Sequence, residues 1–422
     1  MKFTKHLLPN GLRVVTIPMM DNPSVTVLVT VEAGSKYETK EINGLSHFLE
    51  HMVFKGTTRR PKAIDISREL DSIGSHYNAF TSREYTGYYA KADRRHFSKV
   101  LDIVSDMYLD PTFEQAEMVK EKGVVIEEIR MYNDLPQEKA YQAFMDLVYG
   151  DQPVGWDVIG TEANVTSFTR EQLIAYRSAH YVAAATTVYV AGDIDEASAL
   201  KAVEEAFKGA STSAKGAKLA VIQNQTAPRV IPVYKEVDQT HLIIGLQTFP
   251  ALDPRNPALS VLSTVLGRGM SSRLFSRMRD ELGICYYVRA GNEGYTDHGL
   301  FSIGAGVDNS RVEAAIKELL AQCVALKTTL VGEDELKKAK DYIAGTTALE
   351  LETSEACAEF CGYQEVLKHK IEPVEDMLAR IQAVTAEDVQ KVALEIFKTE
   401  KLNMAIVGKF KDPALFMPYF VI

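Results

Sequence analysis

Two histidines stand four positions apart in the segment GLSHFLEHMVFKGT, residues 44–57. The apolar residues of this segment recur at helical spacing, and in a helix His47 and His51 would lie one turn apart on the same face. Two imidazoles at this spacing can hold one zinc ion, and Glu50 lies one step from their face, within reach of a water at the metal. The competing interpretation is a chance match of H-x-x-E-H on a surface helix. A metal centre therefore requires a third ligand elsewhere in the chain.

The segment MVKEKGVVIEEIRMYND, residues 118–134, can supply that ligand. In a helix Glu121 and Glu128 are two turns apart and share a face, while Glu127 lies about 100° away from Glu128. The apolar run before the Glu-Glu pair indicates that one side of the helix is buried, and a buried carboxylate needs a cation. The pattern favours Glu128 over Glu127 only marginally, so both remain candidates at this point.

The elements that must position these side chains alternate between strands and helices. LRVVTIPM and SVTVLVTVEAG predict strands, and HYNAFTSREYTGYYAKA, residues 76–92, predicts one long strand region that is rich in aromatic and β-branched residues. Amphipathic patterns predict helices over residues 42–55, 63–73 and 115–132. The histidines and the candidate third ligand thus fall on two separate helices.

The second half of the chain repeats the pattern of the first. SVTVLVTVEAG corresponds to THLIIGLQTFP, Gly74 to Gly283, and Gly192 to Gly408. An internal repeat of this length indicates two similarly folded domains. We predict an α+β protein of two homologous α/β domains, each with a mixed, mainly antiparallel sheet and helices packed on it. The predicted boundaries place the domains at residues 1–212 and 228–422, with a Gly-, Ser- and Ala-rich linker at 213–227.

The repeat does not extend to the histidines. Where the first half has HFLEH, the second has SVLSTVLGRGMSSRL, so any metal chemistry belongs to the first half. The four cysteines, at positions 285, 323, 357 and 361, are too few for a disulfide framework, and we expect buried thiols. The sequence indicates no role for Cys285, Cys357 or Cys361.

The composition and charge of the chain argue against nucleic-acid and membrane partners. The 422-residue chain is 46% hydrophobic and 25% charged, which is typical of a globular protein with a large core. Its formal net charge of −10 argues against a nucleic-acid partner, because phosphates require a basic surface. No apolar run approaches the roughly 18 residues of a membrane span, and the start has no leader pattern. We therefore expect a cytoplasmic protein without a membrane partner.

Three segments in this order, GLSHFLEHMVFKGT, NAFTSREYTGYYAK and EKGVVIEEIRMYNDLP, resemble the pitrilysin/insulinase (M16) family of zinc peptidases. The resemblance covers essentially the whole chain and is greatest to the shorter branch, which includes the catalytic subunit of mitochondrial processing peptidase and bacterial relatives. It implies a clamshell of two domains and one zinc ion per chain. It also implies that His47, His51 and Glu128 bind the zinc, that Glu50 is the general base and that Glu121 is an auxiliary acid.

The resemblance assigns substrate contacts as well. Family members add the substrate as an extra strand along the segment that matches Asn78, Ala79 and Phe80, and backbone pairing of this kind tolerates many sequences. Arg279 and Tyr286, in RMRDELGICYYV, match a pair that holds the substrate backbone and helps to stabilise the oxyanion. Without the resemblance, an ordinary half-buried strand explains the segment of Asn78, Ala79 and Phe80 equally well. Arg279 and Tyr286 would then be interpreted as solvated positions on a helix and a strand.

These observations predict a zinc endopeptidase of the inverzincin type that hydrolyses peptides or unstructured polypeptide segments. The alternative is a non-catalytic peptide-binding or scaffold subunit of a complex that resembles the processing peptidases. Such a subunit would lack either some of the metal ligands or the Arg/Tyr pair, whereas this chain has both. For the same reason a homodimer, or else a self-sufficient monomer, is expected rather than an obligate unlike partner.

Overall fold

Two mixed β-sheets with the same strand order organise the chain. The computed structural model describes residues 1–20 and 22–422, which divide into two compact units. Unit 1 comprises Met1–Arg130, Trp156–Leu219 and Ala348–Pro373. Unit 2 comprises Met131–Gly155, Ala220–Thr347 and Val374–Ile422. The two units are therefore interleaved in the sequence. Residues 131–155 lie between two segments of unit 1 but belong to unit 2, and residues 348–373 lie between two segments of unit 2 but belong to unit 1.

The sheet of unit 1 has six strands in the order β1-β2-β6-β3-β5-β4. The strands are β1 Thr4–Leu7, β2 Arg13–Pro18, β3 Ser24–Val31, β4 His76–Thr81, β5 Thr86–Asp93 and β6 Thr186–Gly192. β2 and β6 are parallel, and the other neighbours are antiparallel. β3 lies inside the sheet with both faces covered, which explains its nearly continuous apolar and β-branched sequence.

The sheet of unit 2 repeats this topology with five strands in the order β7-β11-β8-β10-β9. The strands are β7 Arg229–Tyr234, β8 Gln239–Thr248, β9 Cys285–Gly294, β10 Gly299–Asp308 and β11 Asn403–Gly408. β7 and β11 are parallel, as β2 and β6 are in unit 1. The matched glycines Gly74 and Gly283 both adopt positive φ, 63° and 57°, just before the edge strands β4 and β9. The fold class of two similar α/β units is thereby confirmed.

Helices pack on both sheets. They are α1 Leu45–Val53, α2 Ala63–Asp71, α3 Phe97–Leu109, α4 Gln115–Asp134, α5 Pro136–Tyr149, α6 Glu162–Ser167, α7 Arg170–His180, α8 Glu196–Ala206, α9 Asn256–Gly267, α10 Val312–Thr328, α11 Glu333–Glu350, α12 Ser354–Lys368, α13 Val374–Ala383 and α14 Ala386–Ile396, with a π-helical segment at Phe275–Glu281. In the described part of the chain, none of them combines the length and the apolar character that crossing a bilayer demands.

Unit 1 has an apolar core on each face of its sheet. α1 and α3 pack with β3 and β5 in the larger core, and α12 covers the opposite face over β3 and β6. In unit 2, α5 packs against β8 and β11 on one face, while α9, α10 and α14 form the core on the other. All four cysteines are buried and free, as predicted.

The single strand predicted over residues 76–92 is wrong, because the segment is a hairpin of β4 and β5. Its turn is stabilised by Ser82, whose backbone N–H donates to the Tyr85 carbonyl at 2.8 Å. The Ser82 hydroxyl also accepts from the backbone N–H groups of Glu84 and Tyr85, at 3.4 and 3.2 Å. The turn residues 82–85 include no Gly, Asn or Pro, and serine, which bonds the local backbone more weakly than Asn or Asp, is the turn signal that remains.

The first part of the connection between α8 and β7 is bound to unit 1. Lys215 donates to Glu32 at 2.7 Å, and Lys218 donates to Glu84 at 2.8 Å. Both carboxylates are almost completely buried, so these ion pairs are shielded from solvent on one side.

Candidate metal centre and catalytic residues

The helix α1 begins at a buried carboxylate. Glu38 accepts hydrogen bonds from the backbone N–H groups of Gly44, at 2.9 Å, and of Ser46, at 2.6 Å. These N–H groups lie at the start of the helix, where no helical carbonyl is available to them, so the Glu38 oxygens accept from donors that the helix itself leaves unpaired. Burial raises the pKa of Glu38, and the hydrogen bonds from Ser46 and Gly44 oppose that shift. Gly44 has φ 97°, and a Cβ there would lie 2.5 Å from the Ile159 carbonyl oxygen. The start of α1 is therefore fixed by both hydrogen bonds and close packing.

The interior face of α1 anchors the helix in the core. Leu45, Phe48, Leu49 and Met52 are all completely buried. His47, Glu50 and His51 lie on the remaining face and are only partly buried. The apolar spacing of the sequence thus orients the polar side chains toward α4.

His47 and His51 meet Glu128 of α4. The distance from His47 Nε2 to Glu128 Oε1 is 3.8 Å, and that from His51 Nε2 to Glu128 Oε2 is 3.5 Å. The three side chains each offer one ligand atom within 4.8 Å of the others. The imidazole rings are 4.7 Å apart between centroids. Two nitrogens and one carboxylate oxygen therefore converge on one point.

This donor set fits a zinc ion. Ligand atoms about 2.0–2.1 Å from a tetrahedral zinc are roughly 3.3 Å apart, close to the separations found here. Two imidazoles and one carboxylate leave a fourth tetrahedral position open, which is the composition of catalytic rather than structural zinc sites.

Glu121 is hydrogen-bonded to the His51 ring nitrogen that does not face Glu128. His51 Nδ1 lies 2.8 Å from Glu121 Oε1, and Lys55 Nζ lies 2.6 Å from Glu121 Oε2. A carboxylate on Nδ1 fixes the proton there and leaves Nε2 free as a metal ligand. Glu121 is buried, and the hydrogen bonds from His51 and Lys55 outweigh that burial, so the pKa of its carboxyl lies below the ordinary value.

The two histidines differ in their electrostatics. Burial, reinforced by the charge of His51, lowers the pKa of His47 to about 3, so its ring is neutral and able to bind a metal. Burial also favours the neutral form of His51, but the hydrogen bond and charge of Glu121 raise its pKa above the ordinary value. Burial raises the pKa of Glu128, which indicates a carboxylate that lacks a full countercharge.

Glu50 is next to the cluster without forming part of it. The Thr81 hydroxyl, at the end of β4, donates to Glu50 Oε2 at 2.5 Å. Burial raises the pKa of Glu50, and the Thr81 hydrogen bond and the charge of His51 oppose that shift. A carboxylate of raised pKa beside a metal centre is suited to accept and return a proton.

Glu127, the other candidate from the sequence, points elsewhere. Its side chain is 72% exposed and is bound by Arg130 at 2.6 Å. The structure thus brings Glu128 and Glu121 to the histidines and leaves Glu127 at the surface.

The predicted substrate strand is the free edge of the first sheet. Asn78, Ala79 and Phe80 lie in β4, which in the described part of the chain pairs with β5 alone. Phe80 packs over Gly87, where a Cβ would lie 2.2 Å from its ring. The next residue, Thr81, contacts Glu50, so the edge strand ends at the candidate metal centre.

Arg279 and Tyr286 are neighbours in unit 2. Arg279 Nη1 donates to the Tyr286 carbonyl at 3.0 Å, and its guanidinium lies 5.5 Å from the centroid of the Tyr286 ring. Tyr286 is 69% exposed on the edge strand β9.

Sequence reasoning missed Glu38, Lys55 and Thr81. Lys55 is one helical turn after His51, and that spacing could have indicated a shared partner. Thr81 follows the substrate-strand residues directly, but its contact with Glu50 depends on how β4 packs against α1. Glu38 precedes the helix by several residues and has no local capping signal.

Comparisons with known proteins relate the whole chain to one family. Residues 13–162 match the family described as insulinase (peptidase family M16), and residues 167–343 match the peptidase M16 inactive domain. The chain is 34% identical to the uncharacterized zinc protease YmxG of Bacillus subtilis, covering 96% of this chain and 98% of that protein. An uncharacterized zinc protease of Streptomyces coelicolor is 33% identical, with coverage of 96% and 89%.

A solved structure also matches nearly the whole chain. The crystal structure of a protease from Helicobacter pylori superposes with a TM-score of 0.91 at 25% identity, covering 96% of this chain and 99% of that one. These matches extend over both units and not only over the histidine segment. The chain belongs to the M16, or insulinase, family of metallopeptidases.

Proposed function

We propose that this protein is a zinc-dependent endopeptidase with His47, His51 and Glu128 as the metal ligands and one zinc per chain. The observation that carries the proposal is the convergence of three ligand atoms within 4.8 Å of one another, with the carboxylate of Glu50 beside them. A bound zinc ion would polarise the scissile carbonyl and lower the pKa of a water molecule. The neutral His47 ring and the uncompensated Glu128 carboxylate are suited to hold it.

Glu50 would be the general base in this reaction. It accepts the proton of the attacking water and returns it to the leaving amine, and Thr81 orients its carboxylate. Glu121 would position His51 rather than touch the substrate. Each of these roles needs only the contacts that the side chains already make within unit 1.

The substrate would be a peptide or an unstructured polypeptide segment that pairs with the free edge of β4. Asn78, Ala79 and Phe80 would offer backbone groups to it. Pairing of this kind requires an extended chain and places few demands on side chains. Folded proteins would therefore be poor substrates.

Arg279 and Tyr286 would assist from unit 2. An arginine and a tyrosine hydroxyl are donors for substrate carbonyls, and the exposure of Tyr286 leaves its hydroxyl available. We expect Tyr286→Phe to lower kcat by roughly a hundredfold, since one donor to a developing oxyanion is worth about 3 kcal/mol. Unchanged zinc content and unfolding temperature in this variant would separate a catalytic effect from a structural one.

The decisive experiment compares Glu50→Gln with the unsubstituted protein on one unstructured peptide, followed by mass spectrometry with and without a chelator. We expect Glu50→Gln to bind zinc stoichiometrically and to lose cleavage by several orders of magnitude. Chelator should abolish cleavage by the unsubstituted protein. Near-normal turnover in a zinc-loaded Glu50→Gln variant would refute the assignment of the base.

We further propose that the protein works as a homodimer and not with an unlike subunit, because one chain carries both the candidate metal centre and the Arg279/Tyr286 pair. Sedimentation analysis of the purified protein tests the assembly. A monomer that is fully active would exclude any need for a second subunit.

A further inference from the structure

A cavity of about 670 Å³ lies in unit 2 along β9, the edge strand of the second sheet. Its walls come from residues 267–270, which end α9 and follow it, from the π-helical segment and from Tyr342 of α11. Arg289 lies on β9 itself, where its exposed side chain alternates with the buried Val288 and Ala290. A cavity of this volume accommodates a peptide side chain or chain terminus.

Three arginines line this cavity without an acidic partner: Arg268, Arg279 and Arg289. In residues 1–20 and 22–422, no carboxylate oxygen lies within 4.0 Å of their guanidinium nitrogens. Other arginines of the same unit are paired: Arg255 with Asp253, Arg273 with Glu335 and Arg277 with Glu281. Since arginine stays protonated, three positive charges surround one open space in a chain whose net charge is −10.

Two glycines flank Arg268, and each lies where the backbone passes too close to a neighbouring element for a side chain. A Cβ at Gly267 would lie 2.4 Å from the backbone nitrogen of Ala290, so α9 ends directly against β9. Gly269 has φ 80°, and a Cβ there would lie 3.0 Å from the Tyr342 ring. Arg268 is therefore fixed between two positions that tolerate no side chain. These two close approaches constrain the backbone at Arg268 beside β9, whereas its exposed guanidinium is free to meet a ligand.

Small residues of β10 keep the space beside Arg289 open. Gly304 is paired with Arg289, and Ser302 is paired with Gly291. A Cβ at Gly304 would have a single neighbour, Ile243 Cγ1 at 4.0 Å. The backbone does not require glycine at position 304, since its φ is not positive. The absence of a side chain there leaves room for a ligand next to the guanidinium.

We propose that this cavity is a subsite of unit 2 that binds a carboxylate of the substrate through Arg268 and Arg289. The planar guanidinium group forms paired hydrogen bonds with a carboxylate, and two such groups make the site selective for negative charge. The carboxylate belongs either to the C-terminus of the peptide or to an acidic side chain. This inference rests on the proposed peptidase function, because the ligand is taken to be a peptide.

The test measures binding without cleavage. Full-length Glu50→Gln protein is titrated into one fluorescently labelled, unstructured peptide in four forms, with a C-terminal acid or amide and with an internal Glu or Gln. We expect a form with the preferred carboxylate to bind roughly tenfold more tightly than the neutral form, as charge-assisted hydrogen bonds allow. The C-terminal and internal pairs show which carboxylate is recognised.

Variants in the Glu50→Gln background locate the effect. In the double variant Arg268→Gln/Arg289→Gln, the affinities for the acidic and neutral peptides should agree within about twofold. Arg289→Lys alone should retain part of the preference for the acidic peptide, because the positive charge remains. Arg311→Gln is the matched control, since Arg311 is an exposed arginine of unit 2 outside the cavity. Thermal unfolding of each variant confirms that it is folded.

Two results would overturn the subsite: equal affinity of Glu50→Gln protein for acidic and neutral peptides, or a preference that persists in the double arginine variant. Failure of the proposed function appears separately, as absence of cleavage by the unsubstituted, zinc-loaded protein while the carboxylate preference remains.

Discussion

Thr81 should control the activity of Glu50 although it lacks a chemical role of its own. Its hydroxyl makes a 2.5 Å hydrogen bond to the Glu50 carboxylate, and it lies at the end of the edge strand proposed to receive the substrate. Thr81→Val removes this hydroxyl and preserves the branched shape. The carboxylate then loses the one side-chain hydrogen bond that holds it next to His47 and His51 among the described contacts.

The size of the effect follows from the geometry. A hydrogen bond to a charged, partly buried group is worth about 1.5–3 kcal/mol. If all of it orients Glu50 in the transition state, kcat falls roughly ten- to hundredfold, because each 1.36 kcal/mol is a factor of ten. KM should change little, since the proposed substrate contacts are backbone groups of Asn78, Ala79 and Phe80, which the substitution leaves in place. Zinc content should remain stoichiometric, because Thr81 contacts none of the three proposed ligands.

Steady-state kinetics on one unstructured peptide provide the assay, with Thr81→Ser as the matched control that restores a hydroxyl. We expect Thr81→Ser to retain most of the activity. In the Glu50→Gln background, Thr81→Val should cause no further loss, since the two residues act through one interaction. Equal losses in the serine and valine variants, or additive losses with Glu50→Gln, would refute the reasoning.

Three further predictions concern the metal, the helix start and acid stability. Glu128→Gln should lose zinc on elemental analysis while Glu127→Gln retains it; the reverse would transfer the ligand role to Glu127. Glu38→Ala should lower the free energy of unfolding by about 0.5–2 kcal/mol, the range for lost helix caps, and should weaken zinc binding in competition with a chelator. An unchanged zinc affinity would show that the start of α1 does not position the metal ligands. Burial opposes ionisation of Glu32, but Lys215 and Arg13 hold its pKa below the ordinary 4.5. Its carboxylate therefore stabilises the fold above about pH 4.5, and this contribution is lost as the pH falls toward the folded-state pKa. In Glu32→Gln, the free energy of unfolding, measured by urea titration at several pH values, should therefore fall less steeply below about pH 4.5. The same pH dependence as in the unsubstituted protein would show that these ion pairs do not contribute to acid stability.

Local patterns predict the parts of the site that lie on single helices. The spacing of His47 and His51 on α1 follows from helical periodicity alone, and the apolar residues between them show which face is buried. Periodicity cannot choose between adjacent positions on α4, because Glu127 and Glu128 differ by only about 100°. The structure separates them through Arg130, which binds Glu127 at the surface.

Contacts between distant segments could not be predicted. Thr81 and Glu50 are 31 residues apart, and their hydrogen bond exists because β4 packs beside α1. The hairpin itself was not predicted, because its turn contains no Gly, Asn or Pro and Ser82 is a weaker turn signal. The repeat, in contrast, predicted the common topology of the sheets, since both halves carry the same order of strand and turn residues.

The helix α12 shows why a repeat in sequence does not define a unit in space. The run SVTVLVTV of β3 indicates a strand that is covered on both faces, so some helix must pack on each. On one face that helix is α12, which lies in the second half of the sequence and buries Cys357, Ala358 and Cys361 with Leu28 and Tyr189. Residues 1–212 alone would expose this apolar face, and each large side chain returned to water costs about 1.5–3 kcal/mol. A few such losses equal the whole stability of an ordinary domain, about 5–15 kcal/mol. The metal-bearing unit thus depends on the second half of the chain for its fold. A truncation at residue 212 therefore tests folding, and only point substitutions such as Tyr286→Phe test whether unit 2 takes part in catalysis.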